Sequence, residues 1–221
     1  MFVRANYITL HPGGVSSIIY CMDIHPVTLT GKLIRLEPMT EDHVPALARV
    51  GLEPRIWQFM IYGQKNTEDD LRAWVREILR RQERGTDLPF TVILQSSGQP
   101  IGTTRFMEIQ PQHRGLEIGG TWYGVDYQGS GVNAEAKLLL LTHAFEVWRC
   151  IRVQVKTDLR NLRSQRAIER LGAVKEGVLR NHVILADGYV RSSVLYSILD
   201  TEWPAIKDGL VKRLAALGID Y

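Results

Sequence analysis

The alternation of apolar and polar residues divides the first third of the chain into a strand and two helices. Residues 32–37 alternate in the manner of a half-buried strand. Apolar positions at helical spacing, flanked by capping residues and glycine stops, predict helices over 40–51 and 67–85. Between them, residues 53–66 are predicted to be irregular, and their large apolar side chains either cover the core or wall a substrate cleft.

Three β-strands follow, and then helices and strands alternate. Residues 88–95 and 100–109 form a predicted hairpin, and 115–125 a third antiparallel strand. From residue 126 the pattern predicts a glycine-rich loop, a helix over 133–149, a strand over 151–158, a helix over 161–171, a strand and a hairpin turning at Asp187-Gly188, and a helix over 201–217. This order predicts one α/β (α+β) domain over residues 27–218, with a mixed, mostly antiparallel sheet.

Residues 1–26 are predicted to be a flexible extension of that domain. Asn6, Pro12 and the Gly13-Gly14 pair interrupt the apolar stretch that a secretory signal requires. Patterned sequence begins only near Lys32, which raises the hypothesis that Met22 is the native start.

Composition and charge narrow the classes of function. With 221 residues, 45% of them hydrophobic, the chain is long enough to bury a core. The formal net charge of +3 is too small for a nucleic-acid-binding coat, and apolar runs such as Leu138 to Leu141 are much shorter than a membrane span. Cys21 and Cys150 do not have disulfide-framework or metal-site spacing. We therefore expect a cytoplasmic protein that binds neither nucleic acid nor membrane and holds no metal.

The clearest chemistry lies in Gln128-Gly129-Ser130-Gly131-Val132-Asn133, between a predicted strand and a predicted helix. Free backbone amides at a helix start form a site for phosphate oxygens, and glycine allows a close approach. A P-loop is excluded, because it would end in Gly-Lys-Ser or Gly-Lys-Thr. Gly129, Gly131 and Ala134 match a dinucleotide fingerprint, but antiparallel strands precede the loop and Asp158 lies too far along for the ribose-binding acid. An NAD(P)-binding oxidoreductase is thus an alternative, and the pyrophosphate of coenzyme A is the remaining candidate ligand.

The sequence around this loop resembles a known family. Gln128-x-x-Gly131-x-Asn133 is similar to the Gln/Arg-x-x-Gly-x-Gly/Ala acetyl-CoA signature of the GNAT superfamily of N-acyltransferases. Further segments resemble its RimJ/RimL branch, which acetylates N-terminal amines of ribosomal proteins: Glu117-Ile118-Gly119, Glu135-Ala136, Asn161-Leu162-Arg163-Ser164, Arg170-Leu171-Gly172-Ala173, Glu176-Gly177-Val178-Leu179-Arg180 and Glu202-Trp203. The resemblance covers residues 27–214 and implies a GNAT-like twisted sheet with helices on both faces.

The resemblance also implies which residues hold acetyl-CoA as the cosubstrate. Backbone groups at the end of the third antiparallel strand would position the thioester, and those of the loop the pyrophosphate. Ser164 matches a family position that contacts the thiolate leaving group, and it is the candidate proton donor; alternatively it only caps the helix or faces solvent. Asn133 departs from the signature, and its side chain is expected to cap the helix or contact phosphate. The implied cofactor-binding residues are Tyr123, Val125, Gln128, Gly129, Ser130, Gly131, Val132, Asn133 and Asn161. Arg166 is a further candidate from helical spacing, because Arg163, Arg166 and Arg170 share one face that either meets the 3′-phosphate of coenzyme A or forms a solvated stripe.

The catalytic base does not carry over from the family, because Val183 occupies the position where some relatives are thought to use a glutamate. Glu117 is the leading acid instead, either as the base or as a carboxylate that is exposed or paired with Arg105. His113 and His182 are weaker candidates. Strand alternation places Glu117 on the same face as Gly119, Thr121 and Tyr123.

The ionisation of amines favours an acceptor of low pKa. At pH 7 an α-amine with a pKa of about 7.8 is roughly one-tenth neutral, whereas a lysine amine with a pKa of about 10.4 is neutral in only about a few parts in ten thousand. We therefore predict an N-acetyltransferase that transfers acetyl from acetyl-CoA directly to a peptide N-terminal α-amine or a small amine, in a ternary complex. A non-catalytic CoA-binding regulatory module is a further alternative, and a homodimer is compatible with the sequence.

Overall fold

A computed structural model describes residues 22–221 of the protein, which form an eight-stranded sheet with six α-helices. The strands are β1 (Leu29–Thr30), β2 (Ile34–Pro38), β3 (Leu88–Leu94), β4 (Pro100–Gln110), β5 (Gly115–Tyr123), β6 (Arg152–Asp158), β7 (Val174–Ile184) and β8 (Val190–Leu199). The helices are α1 (Val44–Gly51), α2 (Pro54–Trp57), α3 (Glu68–Glu83), α4 (Val132–Thr142), α5 (Leu162–Glu169) and α6 (Trp203–Ala215).

The strands are arranged in the order β1-β2-β3-β4-β5-β6-β8-β7. Only β5 and β6 run parallel, because the chain crosses over through α4 between them, and every other neighbouring pair is antiparallel. The predicted mixed, mostly antiparallel sheet is therefore confirmed. A dinucleotide-binding oxidoreductase would need parallel βαβ repeats, which a single parallel pair does not provide.

The sheet buries a separate apolar cluster on each face. One cluster joins β4 to β6 and β8 with α4 and α6, through residues such as Phe106, Leu140 and Leu210. The other packs α1, α2 and α3 against the opposite face, around Trp57 and Trp74. Helices thus flank both faces, as the sequence predicted.

Several elements differ from their predicted bounds. The segment 53–66 contains the short helix α2, which begins at a proline, the residue that suits the first turn of a helix. The helix predicted to continue to 149 is α-helical only to Thr142 and then widens into a π-turn over His143–Val147. The two-residue strand β1 was not predicted.

The start of the described chain packs onto the domain. Met22 is buried in the first cluster, and the backbone carbonyl of Asp23 accepts a hydrogen bond of 3.0 Å from Trp148 Nε1. Residues 1–21 lie outside the described residues, and so does most of the predicted extension; a native start at Met22 stays a prediction. No helix within 22–221 is both long enough and apolar enough to cross a membrane.

Candidate active site

The central feature of the site is an opening between β5 and β6. These strands pair over only three positions, from Gly115 with Arg152 to Glu117 with Gln154. Beyond Glu117, β5 continues beside β4 and β6 continues beside β8. The facing edges of β5 and β6 therefore carry backbone groups that no neighbouring strand pairs. Since α4 and α5 each follow one of these parallel strands, both helices begin at the open end.

A bulge in β5 re-aims its last side chains. Gly119 to Trp122 faces only Thr103 to Arg105, so β5 contains one extra residue, and Gly120 has a φ of +57°, where glycine is favoured. As a result Trp122 packs with the helices α1 to α3 and Tyr123 packs with α4.

The bulge contradicts one expectation about Glu117. A Cβ at Gly119 would lie 3.3 Å from Glu117 Oε1, so these two residues share a face as predicted. Thr121 and Tyr123 do not share it. Thr121 Oγ1 lies 3.4 Å from Lys137 Nζ of α4, and Tyr123 belongs to the α4 cluster. The prediction from strand alternation is wrong for these two residues because the extra residue of the bulge moves every later side chain of β5 to the opposite face of the sheet.

The glycine loop presents uncapped amides at the start of α4. Gly129 and Gly131 have φ values of +84° and +89°, in the left-handed region. A Cβ at Gly129 would meet nothing within 4 Å, so the space beside the loop is open. Gly131 is the N-cap of α4, and no side chain caps this helix. The positive end of the helix and its free N–H groups therefore suit a phosphate group.

Side chains of the loop fix its shape rather than reach outward. Gln128 Nε2 donates to the Tyr123 carbonyl at 3.1 Å, and Gln128 Oε1 accepts from Arg163 Nη1 of α5 at 2.7 Å. Ser130 Oγ donates to the Tyr127 carbonyl at 2.6 Å. These bonds join the end of β5, the loop and the start of α5 into one unit.

Asn133 does not take the helix-capping role expected for it, and its contact with phosphate stays a prediction. Its Oδ1 accepts a hydrogen bond from the Tyr123 hydroxyl at 3.3 Å, and it does not cap α4. The side chains of Tyr123 and Val132 are buried in the core, so only their backbone groups can face a ligand. Val125 begins a short 3₁₀ turn between β5 and the loop and packs partly against the α1–α3 cluster.

The start of α5 forms the other side of the opening. Asn161 is its N-cap and accepts the backbone N–H of Ser164 at 3.0 Å. Ser164 lies in the first turn and is half-buried, while Arg166 is exposed. The helix is thus capped by Asn161, and the Ser164 hydroxyl is not needed for that role.

Glu117 lies at the point where β5 and β6 separate and is only 4% exposed. Its Oε2 is 2.9 Å from Lys156 Nζ and accepts from Gln154 Nε2 at 3.2 Å. Burial raises the pKa of Glu117, and the bonds from Lys156 and Gln154 partly oppose that rise. The expectation that Glu117 is either exposed or paired with Arg105 is wrong, because Arg105 lies beside Asp87 instead, with Nε and Oδ2 3.1 Å apart.

Two surface segments wall the face on which Glu117 lies. The segment between α2 and α3 contributes the Tyr62 hydroxyl, which accepts from Arg105, and the backbone carbonyl of Phe59, which accepts from Arg191 of β8 at 3.1 Å. The β7–β8 hairpin meets the same segment, with a Cβ at Gly63 only 3.5 Å from Ala186. Trp57 of α2 instead covers the core.

The two histidines considered as candidate bases lie in different parts of the structure. His113 is exposed in a 3₁₀ turn before β5, at the opposite end of the strand from the loop. His182 lies on β7 with Nδ1 3.0 Å from Ser193 Oγ, and burial together with Lys156 and Arg191 lowers its pKa. Only His182 is therefore near the site.

Comparison with known proteins shows which family the chain belongs to. Residues 34–174 match the family model described as an acetyltransferase (GNAT) domain. The chain belongs to the GNAT acetyltransferase family. Members of this family use acetyl-CoA as the cosubstrate, which agrees with the open, uncapped loop before α4.

Individual relatives of this GNAT protein cover most of its length. It is 26% identical over 172 residues to the ribosomal-protein-serine acetyltransferase of Escherichia coli K12, covering 76% of this chain and 94% of that one. The crystal structure of a "putative acetyltransferase" from T. thermophilus is 41% identical with a TM-score of 0.80, covering 87% and 100% of the two chains. A GCN5-related N-acetyltransferase from Brucella melitensis is 27% identical with a TM-score of 0.77, covering 85% of each chain.

Lys156 and Lys137 were not singled out from the sequence, and Glu135 was named there only as part of a segment that resembles the family. Lys156 pairs with Glu117 on the neighbouring strand. Lys137 is buried beneath the β5 bulge, and Glu135 is fully buried in the first turn of α4. The Glu135 carboxylate accepts backbone N–H groups from residues 32–34 and the Tyr221 hydroxyl, which anchors the start of α4 to β2. A charged residue at a buried helical position was the available signal.

Proposed function

We propose that this GNAT protein transfers acetyl from acetyl-CoA directly to a primary amine in a ternary complex, with Glu117 as the base. The observation that carries the proposal is the position of Glu117 at the apex of the opening between β5 and β6. A buried carboxylate of raised pKa beside unpaired backbone groups suits proton removal from an amine that attacks at that point.

Each residue around the opening has its own role in the proposed reaction. Acetyl-CoA supplies a thioester, whose C–S bond breaks as the amide C–N bond forms. Unpaired N–H groups on the free edge of β5 donate to the carbonyl oxygen as it gains negative charge. Glu117 accepts the proton of the attacking amine, and Ser164 donates a proton to the departing thiolate. Proton exchange with solvent then returns the proton held by Glu117 to the Ser164 oxygen, which restores both groups. The loop over residues 128–133 and the exposed Arg166 bind the phosphates, and Asn161 holds the start of α5 beside the pantetheine arm.

Direct transfer is supported by the state of the described cysteine. Cys150 is 1% exposed, and burial raises its thiol pKa to about 12. A thiol of that pKa forms little thiolate, so an acetyl-cysteine intermediate at Cys150 is disfavoured.

The acceptor we propose is a peptide N-terminal α-amine or a small amine. A low-pKa amine supplies far more of the neutral nucleophile at pH 7 than a lysine side chain does. The relative named a ribosomal-protein-serine acetyltransferase acts, by its name, on a protein serine, which agrees with a peptide acceptor. The proposed setting is cytoplasmic.

The test is release of free thiol from acetyl-CoA with three acceptors: a peptide with a free α-amine and no lysine, the same length of peptide with a blocked N-terminus and one lysine, and a small polyamine. We expect the free α-amine to react about a hundredfold faster than the lysine peptide near pH 7. Faster release of thiol with the polyamine than with either peptide would instead assign a small-amine acceptor. Binding of acetyl-CoA without thiol release for any amine would instead establish a regulatory module.

Substitution tests the assignment of Glu117. Glu117→Gln is expected to lower the rate by about 10²- to 10⁴-fold while the Kd for acetyl-CoA stays unchanged. Folding should survive, because Lys156 keeps the Glu108 carboxylate at 3.2 Å. Glu77→Gln on the exposed surface of α3 is the matched control and should keep the wild-type rate.

A further inference from the structure

Ionisable side chains from three adjacent strands meet beside the opening. Lys156 Nζ of β6 is 2.9 Å from Glu117 Oε2 of β5 and 3.2 Å from Glu108 Oε1 of β4. Gln154 Nε2 donates to both carboxylates as well, at 3.2 and 3.1 Å. The two carboxylates therefore share one ammonium and one amide. The side chain of Lys156 is 13% exposed, which limits its contact with water.

We infer that Lys156 is a positioning residue, which holds the Glu117 carboxylate in its ionised form and directs it into the opening, while Glu108 opposes that effect. The inference rests on the proposed role of Glu117 as the base. Lys156 acts through Glu117 and is not assigned any contact with substrate.

The charges that face Glu117 come from several elements. Lys156 attracts a negative charge there, and Glu108 repels one. On the flanking elements, Arg191 pairs with Asp158 at 3.9 Å, and His182 has a lowered pKa because of burial and the nearby cations. The groups that face the carboxylate are Lys156 and the neutral Gln154 from β6, Glu108 from β4, Arg191 from β8 and Tyr62 from the segment after α2. His182 of β7 interacts with Lys156, Arg191 and Glu108.

Lys156 is the closest of these charges and therefore dominates. An opposite charge within hydrogen-bond distance lowers the pKa of a carboxyl group by about 1–3 units, and loss of the charge reverses that effect. Removing a like charge acts in the opposite direction. Glu108 is half-exposed and already neutralised in part by Lys156, so its effect should be smaller.

The experiment compares pH profiles of kcat/KM for wild type, Lys156→Met, Lys156→Arg and Glu108→Gln with one amine acceptor, so that ionisation of the acceptor is common to all four. We expect the acid limb to move up by about one pH unit or more in Lys156→Met. It should move down by a smaller amount in Glu108→Gln and stay near wild type in Lys156→Arg. Opposite shifts are a signature that general loss of structure does not produce.

Acid limbs that stay in place, or that move in the same direction in Lys156→Met and Glu108→Gln, would overturn the inference. If Lys156→Met does not fold, the comparison of Glu108→Gln with wild type decides the inference: the acid limb must move to lower pH when the Glu108 charge is removed. Carboxyl ¹³C NMR titration of Glu117 in wild type and in the Lys156→Met, Lys156→Arg and Glu108→Gln variants requires no turnover, and the pKa of Glu117 should rise in Lys156→Met alone. It therefore tests Lys156 even if wild type releases no thiol, a result that would defeat the proposed function alone.

Discussion

Gly129→Ala should weaken the binding of acetyl-CoA through the backbone alone. A Cβ at this position meets no atom within 4 Å, so the substitution adds no clash. The φ of +84° nevertheless disfavours alanine by about 1–2 kcal/mol relative to glycine. Since residue 129 lies in open space, the alanine loop can relax to negative φ when the ligand is absent.

Returning the loop to its binding shape then costs the same free energy, which predicts a Kd about 5- to 30-fold higher. Gly98→Ala is the matched control, because Gly98 has a φ of +69° with nothing within 4 Å and lies in the turn between β3 and β4. Both variants should lose about 1–2 kcal/mol of unfolding free energy at most, but only Gly129→Ala should lose affinity.

Isothermal titration with acetyl-CoA measures the affinities, and chemical denaturation measures the stabilities. Equal affinity of Gly129→Ala and wild type, with no loss of stability, would refute the idea that this loop must keep its left-handed conformation to bind the ligand.

Three further substitutions test other parts of the account. Ser164→Ala should lower kcat by about tenfold to a hundredfold in the thiol-release assay with an unchanged Kd for acetyl-CoA, and an unchanged kcat would remove Ser164 as the proton donor. Lys137→Met should stabilise the protein by up to about 3 kcal/mol at pH 7, because burial lowers the pKa of Lys137 to about 8 from 10.5. The unfolded chain binds the proton more tightly, so wild-type stability rises between about pH 8 and 10.5 and the advantage of Lys137→Met should shrink over that range in denaturation curves. Glu135→Gln should cost about 2–4 kcal/mol in the same curves at pH 7, because an amide cannot accept from the N–H groups of residues 32–34 at both of its terminal atoms; a loss under about 0.5 kcal/mol would contradict the anchoring role.

Sequence patterning predicted the sheet and most helices, because each has a periodic apolar face and recognisable ends. The helix α3, for example, has Thr67 as its N-cap and an acidic first turn, and it begins within one residue of the predicted start. Patterning missed α2 because four residues are too few to show a period. It missed the reversal at Gly120 because a bulge depends on how β5 pairs with β4, which no local sequence encodes.

The candidate site was predictable where it depends on local backbone. The glycine loop does stand directly before a helix, as the sequence indicated, and Gly129 and Gly131 take left-handed conformations there. The surroundings of Glu117 were not predictable. Lys156 lies 39 positions after Glu117 in the sequence. A lysine that alternates with apolar residues on a strand is ordinarily exposed to solvent. Only the parallel pairing of β5 with β6 brings the two charges together.

Hydrogen–deuterium exchange of the full chain with and without saturating acetyl-CoA tests most directly whether the glycine loop binds acetyl-CoA. The account predicts slower amide exchange across residues 128–134 and along the free edge of β5, with the hairpin turn at Gly98 unchanged. Unaltered exchange in the loop, or protection confined to another surface while the ligand is bound, would contradict it.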